Sequence, residues 1–137
     1  MDNISPEHRS WNMSRIKSKD TTPERIVRSF LHHNGFRFRL HVKELPGRPD
    51  IVLPKYKTVI EVRGCFWHRH SNCKYAYVPK IRIDFWQKKF EENIRRDMKN
   101  QQLLQKAGFN VLIIWECEVS EKMLQDLCSS LREKENT

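Results

Sequence analysis

Three residues in the middle of the chain have types and spacing that could bind a divalent cation. Asp50 opens one short β-rich segment, and Glu61 and Arg63 close the next, two residues apart and therefore on one face of a strand. A hairpin would place Asp50 beside the end of that strand, where carboxylates offer the hard oxygen ligands that Mg²⁺ prefers. Magnesium held there can activate water for phosphodiester cleavage. The alternative is an ordinary turn followed by a surface ion pair.

A second group of chemistry-bearing residues follows directly. Cys65, His70 and Cys73 lie within nine residues, and Cys117 ends a later apolar strand that can return it to the same loop. Three thiolates and one imidazole would make a closed tetrahedral zinc site, whose role is structural because no coordination position is open. In that arrangement His68, two residues from His70, is left for other work. Free cysteines beside a chance histidine are the alternative.

Charge and composition narrow the class of protein. The chain of 137 residues has a net charge of +9. Residues 1–99 carry 22 Lys and Arg against 11 Asp and Glu, whereas residues 100–137 carry 4 against 6. This asymmetry favours a nucleic-acid partner, with a solubilising surface as the alternative. Seven Phe, four Trp and three Tyr exclude a disordered chain. No apolar run is long enough for a membrane span and the first ten residues lack a secretion signal, so we expect a cytoplasmic protein with reduced cysteines.

The elements that must position these residues predict a mixed α/β sheet with helices on its faces. Thr21 and Ser120 are expected to cap helices, as is Asp84. Thr21 and Glu24 also fit a capping box. Cys128 falls among the apolar positions of the last helix and is expected in the core. A basic flexible arm, residues 1–19, precedes a single domain, residues 20–137. The predicted helices span 22–34, 84–107 and 121 onward, and the predicted strands span 36–41, 50–53, 58–63 and 109–115, the last of them central and buried.

Several motifs together resemble one family. The chain contains Gly64-Cys65-Phe66-Trp67-His68-x-His70 and Asn93-x-x-Arg96-Asp97. It also contains Arg9-Ser10-x-Asn12-Met13, Asp20-Thr21-x-x-Glu24, Pro46-Gly47-Arg48-Pro49-Asp50, Phe85-Trp86 and Val111-Leu112-Ile113-Ile114-Trp115-Glu116-Cys117. Taken in chain order, from about Arg9 to Glu118, these motifs resemble those of the Vsr family, the very-short-patch-repair endonucleases of bacteria. The Asp50 segment alone resembles the wider PD-(D/E)xK nuclease pattern, with Arg63 where lysine is usual.

The Vsr resemblance implies a restriction-endonuclease-like fold with a structural zinc. It implies nicking 5′ of the thymine in a T:G mismatch left by deamination of 5-methylcytosine, with Mg²⁺. Asp50 and the carbonyl of Val62 match the magnesium contacts, and His68 matches the general base. Glu24 matches a carboxylate that holds the water network, and Asp97 is expected to support His68. The implied zinc ligands are Cys65, His70, Cys73 and Cys117.

The resemblance also implies how DNA is contacted. Phe66, Trp67 and Trp86 match aromatic residues that wedge into the duplex beside the mismatch, and Met13 and Asn93 are expected to contact DNA as well. The structural alternatives are a helix-capping role for Glu24 and core packing for the aromatic residues. If Phe85 takes a core position, Trp86 is left facing outward.

Two departures from the family leave the leaving-group acid open. Glu61 replaces an apolar residue, and Arg63 stands where a second histidine is often found. The competing functions are a restriction-type or structure-specific nuclease of the same fold, and a zinc-stabilised DNA-binding module without catalysis. The family suggests a monomer, associated with the nucleoid, with a mismatch-repair ATPase as a partner.

Overall fold

A four-stranded mixed sheet with helices on both faces is built by residues 21–66 and 68–135, which are those that the computed structural model describes. The predicted α/β class is confirmed. The predicted arm, and with it Met13, lies outside the described residues, as does Trp67. In chain order the elements are α1 (Thr22–His33), β1 (Arg39–Leu40), β2 (Ile51–Leu53), β3 (Thr58–Arg63), α2 (Ile83–Lys106), β4 (Asn110–Trp115) and α3 (Glu121–Glu135), with 3₁₀ turns at Pro54–Tyr56 and Glu116–Glu118.

The strands lie in the order β1-β2-β3-β4. β2 pairs antiparallel with β1 and with β3, and Ile51 stands opposite Ile60 in the hairpin. β3 and β4 run parallel, with Arg63 opposite Trp115 at their ends. A parallel pair needs a long crossover, and here residues 64–109, including α2, provide it. The end of β3 and the end of β4 therefore meet at one edge of the molecule.

Alternating apolar residues bury both faces of the sheet. Ile51 and Leu53 pack with α1 and α3 on one face, whereas Val52, between them in sequence, packs with Leu104 of α2 on the other. Because successive side chains of a strand point to opposite faces, a short apolar run serves both layers. Cys128 is 2% exposed in the first layer, which confirms its expected core position. In the described residues, no helix combines the length and the apolar character needed to cross a bilayer.

Two of the three predicted helix caps are confirmed. The hydroxyl of Thr21 accepts a 3.3 Å hydrogen bond from the Glu24 N–H, and that of Ser120 accepts a 3.2 Å bond from Met123. The expectation for Asp84 was wrong. Helix α2 begins one residue earlier, after Arg82 in a left-handed conformation with φ of 60°, so Asp84 lies inside the first turn.

Two strand predictions need correction. The strand expected over residues 36–41 contains only Arg39–Leu40, because Phe36 turns into the core against Tyr56 and His41 adopts a left-handed φ of 47°. β4 was expected to be central and buried, but within residues 21–66 and 68–135 it pairs only with β3. Its apolar side chains are mostly half-buried because β4 lies at the edge of the described sheet.

Candidate active site and metal cluster

A cavity of about 340 Å³ opens where β2 begins and β3 ends. The segment between β1 and β2, the end of β3 with the loop after it, and helix α2 supply its walls. Four residues predicted for the site, Asp50, Val62, His68 and Asp97, line this one cavity. The other wall residues include the cationic side chains of Lys43, Arg48 and Arg63, together with His41 and Glu61. A site with this mixture of acids, imidazoles and cations suits a charged phosphate substrate.

Asp50 is the most perturbed acid of the cavity. Its Oδ2 accepts a 2.8 Å hydrogen bond from the backbone N–H of Val62, across the β2–β3 hairpin. Burial raises the pKa of Asp50 to about 7; the Val62 bond and His41 oppose the rise, and repulsion from Glu24 and Glu61 adds to it. An acid that is costly to ionise by itself is well placed to receive a cation, because the cation offsets that cost.

Glu24 reaches this region from α1 but lies behind the cavity wall. The residue is 1% exposed, and its Oε1 lies 2.9 Å from Nε2 of His41 and 3.8 Å from a guanidinium nitrogen of Arg28. His41 stands between Glu24 and the cavity, with its Nδ1 3.8 Å from Oδ1 of Asp50. The Glu24 carboxylate therefore has a role beyond capping its own helix.

No role was predicted from the sequence for His41, the last residue of the strand expected over residues 36–41. The strand ends at Leu40, and the left-handed conformation of His41 turns its ring toward Asp50. The backbone N–H of His41 also donates to the carbonyl of Asp50, at 3.2 Å. The antiparallel pairing of β1 with β2 was the available signal, because it returns the chain to the level of Asp50.

His68 and Asp97 meet across the crossover. Nδ1 of His68 lies 2.6 Å from Oδ2 of Asp97, and both residues line the cavity. The contact assigns the Nδ1 proton to the bond with the carboxylate, which leaves Nε2 as the basic nitrogen. A loop residue is thus oriented by a residue of a long helix, as a base must be if it is to hold one direction.

The loop before Asp50 packs closely against the same helix. Gly47 has a φ of +75°, and a Cβ at this position would lie 2.7 Å from the Asn100 amide nitrogen. Only glycine fits both the backbone conformation and the space. This contact fixes Asp50, three residues later, relative to Asp97 on α2.

Glu61 and Arg63 form an ion pair in the cavity wall. Nε and Nη2 of Arg63 both donate to Oε2 of Glu61, at 3.1 and 2.7 Å. Both side chains are largely buried, at 14% and 10% exposed, and the guanidinium also lies 5.9 Å from the Trp115 ring centroid. The ion pair answers part of the question that the sequence left open about Glu61 and Arg63. It shows that Glu61 has a cationic partner on its own strand.

Cys65, His70, Cys73 and Cys117 offer one ligand atom each, all within 4.8 Å of one another. The Sγ of Cys117 lies 3.3 Å from Nδ1 of His70 and 3.8 Å from Sγ of Cys73, and the Sγ of Cys65 lies 3.6 Å from Nδ1 of His70. Burial raises the pKa of the Cys65 thiol to about 12, so a thiolate forms there only beside a cation. The cluster could hold a metal ion.

The ends of β3 and β4 support this cluster. The His70 ring stacks on Trp115 at 4.3 Å between centroids, and the Cys65 N–H donates to Oε1 of Glu116 at 2.9 Å. Arg69 holds the rest of the loop, because its guanidinium donates to the carbonyls of Phe66, Ala76 and Tyr77. Arg69 was not singled out from sequence, since its partners are backbone atoms that leave no residue pattern.

The aromatic residues form a patch beside the cavity loop, and two of them are less exposed than a wedge into DNA would suggest. Phe66 is 5% exposed and packs on Tyr77, Trp86 and Phe90, at 5.0, 5.8 and 5.3 Å between centroids. Trp86 is half-buried, whereas Phe85 is 45% exposed, the reverse of the expected arrangement. Helix α2 begins at Ile83, and this start turns Trp86 rather than Phe85 toward the loop. The exposed rings are therefore those of Tyr77 and Phe85.

Asn93, expected to contact DNA, is 7% exposed. Its Oδ1 accepts a hydrogen bond from Arg96, which is exposed on the same helix. In this arrangement the Asn93 side chain is buried, and Arg96 carries the exposed cationic group of the pair.

Comparison with known proteins agrees with this geometry. The family model for the DNA mismatch endonuclease Vsr matches residues 1–74. The DNA mismatch endonuclease Vsr of Escherichia coli strain K12 is 44% identical over 109 residues, which are 80% of this chain and 69% of that protein. The chain belongs to the Vsr family. Two other relatives are type II nicking enzymes: V.XorIIP of Xanthomonas oryzae pv. oryzae, 48% identical over 88% of each chain, and V.NmeAIP of Neisseria meningitidis serogroup A, 47% identical over 90% of this chain and 87% of that one.

Membership of the Vsr family makes this protein an endonuclease, with DNA as its partner. The four-stranded mixed sheet with flanking helices is the restriction-endonuclease-like fold of that family. A purely DNA-binding role is thereby excluded. The described residues contain two groups that could hold a metal ion, the Cys/His cluster and the group of Glu24, His41 and Asp50.

Proposed function

We propose that this endonuclease nicks duplex DNA 5′ of the thymine in a T:G mismatch left by deamination of 5-methylcytosine, and so initiates very short patch repair. The observation that carries the proposal is the convergence of Asp50 with the His68–Asp97 pair in one cavity, beside an aromatic patch. Membership of the Vsr family, whose model is described as a DNA mismatch endonuclease, supports a mismatch as the feature that is recognised.

Asp50 would hold the catalytic Mg²⁺ in this proposal. The raised pKa of its carboxyl and its position in the cavity wall fit a cation-binding acid. The Val62 carbonyl, next to the N–H that binds Asp50, is the proposed second contact. When bound, the cation supplies Lewis-acid stabilisation of the charge that develops on the phosphate oxygens. Arg63 and Arg48, in the same wall, add fixed positive charge toward that phosphate.

His68 is the proposed general base. Its Nδ1 proton is held by Asp97, so Nε2 can take a proton from the attacking water. As the imidazole becomes cationic, the Asp97 carboxylate stabilises it, which is the role a buried carboxylate plays behind a catalytic histidine. Glu24 contributes through His41 rather than at the cavity surface.

Zinc is the proposed occupant of the Cys/His cluster. Around a tetrahedral zinc with bonds of about 2.3 Å to sulfur and about 2.0–2.1 Å to nitrogen, neighbouring donor atoms lie about 3.6–3.8 Å apart. The donor atoms of the cluster are separated by 3.3, 3.6 and 3.8 Å. A four-ligand site has no open position, so this zinc stabilises the loop that carries His68 and takes no part in the chemistry.

The aromatic patch is the proposed mismatch reader. A mismatched step unstacks at lower cost than a paired one, so a ring inserted there gains more than it loses. Trp67, one residue from the base, is the proposed wedge, with Trp86 as part of its support.

The test uses end-labelled duplexes that carry each mismatch in turn and one matched control, with Mg²⁺ or with no divalent cation added. We expect one Mg²⁺-dependent nick, 5′ of the thymine in the T:G duplex. Asp50→Ala should abolish nicking and retain DNA binding, because it removes a metal ligand and no phosphate contact; Asp84→Ala, exposed on α2, is the control. Equal cutting of the matched duplex would favour a restriction-type nuclease of the same fold.

A further inference from the structure

The cavity contains a histidine that the proposed chemistry uses only as the link to Glu24. His41 lines the cavity beside Asp50, whereas Glu24 is absent from the wall and lies behind the histidine. The ring is 24% exposed, and its two nitrogens face two different carboxylates.

The two nitrogens differ in what their distances allow. Nε2 lies 2.9 Å from Oε1 of the buried Glu24 carboxylate, which is within hydrogen-bond distance, although the two atoms are not aligned as donor and acceptor and a rotation of the ring would complete the bond. Nδ1 lies 3.8 Å from Oδ1 of Asp50, which is too long for a hydrogen bond. Two ligands of one divalent cation, each bonded at about 2.0–2.2 Å, can span such a separation, whose upper limit is about 4.4 Å.

A carboxylate, a histidine and a cation in this order form an arrangement that is common in metal sites. Histidines that bind metals commonly donate their second ring N–H to a carboxylate, which fixes the tautomer and aims the other nitrogen at the ion. Glu24, 1% exposed and held on α1, can accept from Nε2, and this leaves the Nδ1 lone pair directed toward the cavity and Asp50.

We propose that Nδ1 of His41 is a direct ligand of the divalent cation at Asp50, oriented by Glu24. The inference rests on the proposed cation at Asp50 and extends it from an all-oxygen site to a mixed nitrogen–oxygen site. Imidazole suits first-row transition ions, and Mn²⁺, although it also accepts oxygen ligands, tolerates a nitrogen ligand better than Mg²⁺, which prefers oxygen alone. The site therefore binds Mn²⁺ more tightly than Mg²⁺, and much of this preference depends on His41.

The test is electron spin-echo spectroscopy of the zinc-loaded full chain with less than one equivalent of Mn²⁺. A directly bound imidazole gives a ¹⁴N coupling to the Mn²⁺ spin, independently of any activity. We expect this coupling in the wild-type protein and in His68→Gln, whose ring faces Asp97. We expect His41→Gln to lose it while Mn²⁺ still binds.

Affinities measured by titration complete the test. We expect His41→Gln to weaken Mn²⁺ binding about tenfold or more and Mg²⁺ binding less, and Glu24→Gln to weaken Mn²⁺ binding about 10- to 100-fold, as loss of a residue that orients a ligand does. Coupling that persists in His41→Gln, or is absent from the wild-type protein, overturns the proposal, and so does a protein that binds no Mn²⁺.

A parallel nicking assay separates this inference from the proposed function. Nicking at T:G with Mg²⁺ but without the ¹⁴N coupling refutes the role of His41 alone. The coupling without any nicking at T:G refutes the proposed function and leaves His41 as a metal ligand.

Discussion

Asp50 occupies a place that is unfavourable for an ionised carboxylate until a cation arrives. It is largely buried, and Glu24 and Glu61 repel its charge. Enzymes often retain such destabilising groups because the reaction needs them. The metal-free protein should therefore bear a measurable stability cost at this residue.

That cost gives a pH-dependent prediction. The pKa of Asp50 is about 7 in the folded protein against 3.8 for the ordinary group. Between these values the unfolded chain loses the proton first, so the native state binds more protons and stability falls as pH rises. Without divalent cation, Asp50→Asn should exceed the wild-type protein by about 1–3 kcal/mol in unfolding free energy at about pH 8 and match it at about pH 4. Urea unfolding measures this.

The control for this experiment is Asp126→Asn, on the exposed side of α3. It should change stability equally at both pH values. An Asp50→Asn protein that is less stable than the wild-type protein at the higher pH would show that its carboxylate is stabilised in the fold.

Asp97 is a positioning residue in this account. Asp97→Asn should slow nicking at T:G roughly 10- to 100-fold, a part of the 10²–10⁴ that acid–base catalysis contributes. The amide cannot stabilise a cationic imidazole, so the pH–rate profile should change as well. Zinc content and DNA affinity should remain, and Asp84→Asn on the same helix should be silent. An unchanged pH–rate profile would reduce Asp97 to a structural contact.

At the scale of elements, the Cys/His cluster joins the crossover to the sheet. Three of its ligands precede α2 and the fourth, Cys117, follows β4. The described residues between Gly64 and Pro79 form no strand or helix, so a metal bound by the cluster would stabilise this loop together with the contacts of Arg69.

Removal of one ligand tests this dependence. Cys117→Ser should reduce zinc from about one per chain and lower the unfolding free energy by about 3 kcal/mol or more. Cys128 lies on the buried side of α3, away from the cluster, so a Cys128→Ser protein should keep its zinc although it also loses some stability. Metal analysis and denaturant unfolding provide the two readouts. A Cys117→Ser protein with full zinc content would remove Cys117 from the ligand set.

Local signals predicted the elements well, and long-range packing explains the failures. Thr21 and Ser120 marked helix starts because a cap acts on the next turn of the chain. The expected strand at 36–41 shortened because Phe36 found a partner far along the chain, in Tyr56. Likewise, the facing of Phe85 and Trp86 depends on which ring meets Phe66 in a separate loop.

The candidate site, like the helices and strands, could be predicted from the sequence only in part. Motif spacing indicated Asp50 and the Cys/His cluster, and the family resemblance supplied the role expected of His68. His41 escaped because its role depends on a left-handed backbone conformation that a strand pattern does not reveal. A single histidine in an alternating segment carries no such information by itself.

At the scale of the whole molecule, affinity and discrimination have different sources. The positive charge lies mainly in residues 1–99 and should bind any duplex. Phosphate contacts position a protein but cannot distinguish T:G from C:G. Discrimination must therefore come from base edges or from the ease of deforming the site, and the aromatic patch beside His68 is the surface suited to the second.

Trp67→Ala should separate the charge-driven affinity for any duplex from the discrimination of the mismatch. Base–aromatic stacking contributes about 1–3 kcal/mol, so mismatch binding should weaken roughly ten- to hundredfold, with little change for the matched duplex. Both affinities must be measured at one salt concentration, because the charge-driven term falls steeply with salt. Equal weakening of both would make Trp67 a packing residue and transfer the wedge to Trp86.

The crossover between the two parallel strands has a consequence for chimeric enzymes. Residues 64–109 carry His68, Asp97 and the aromatic patch, whereas Asp50, His41 and Glu24 all precede them. Exchange of this one segment between two members of the family would transfer base recognition and water activation together onto an unchanged cation site. Cys117 is the sole ligand of its cluster outside the segment, so a recipient with cysteine there should accept the graft, and one without it should not.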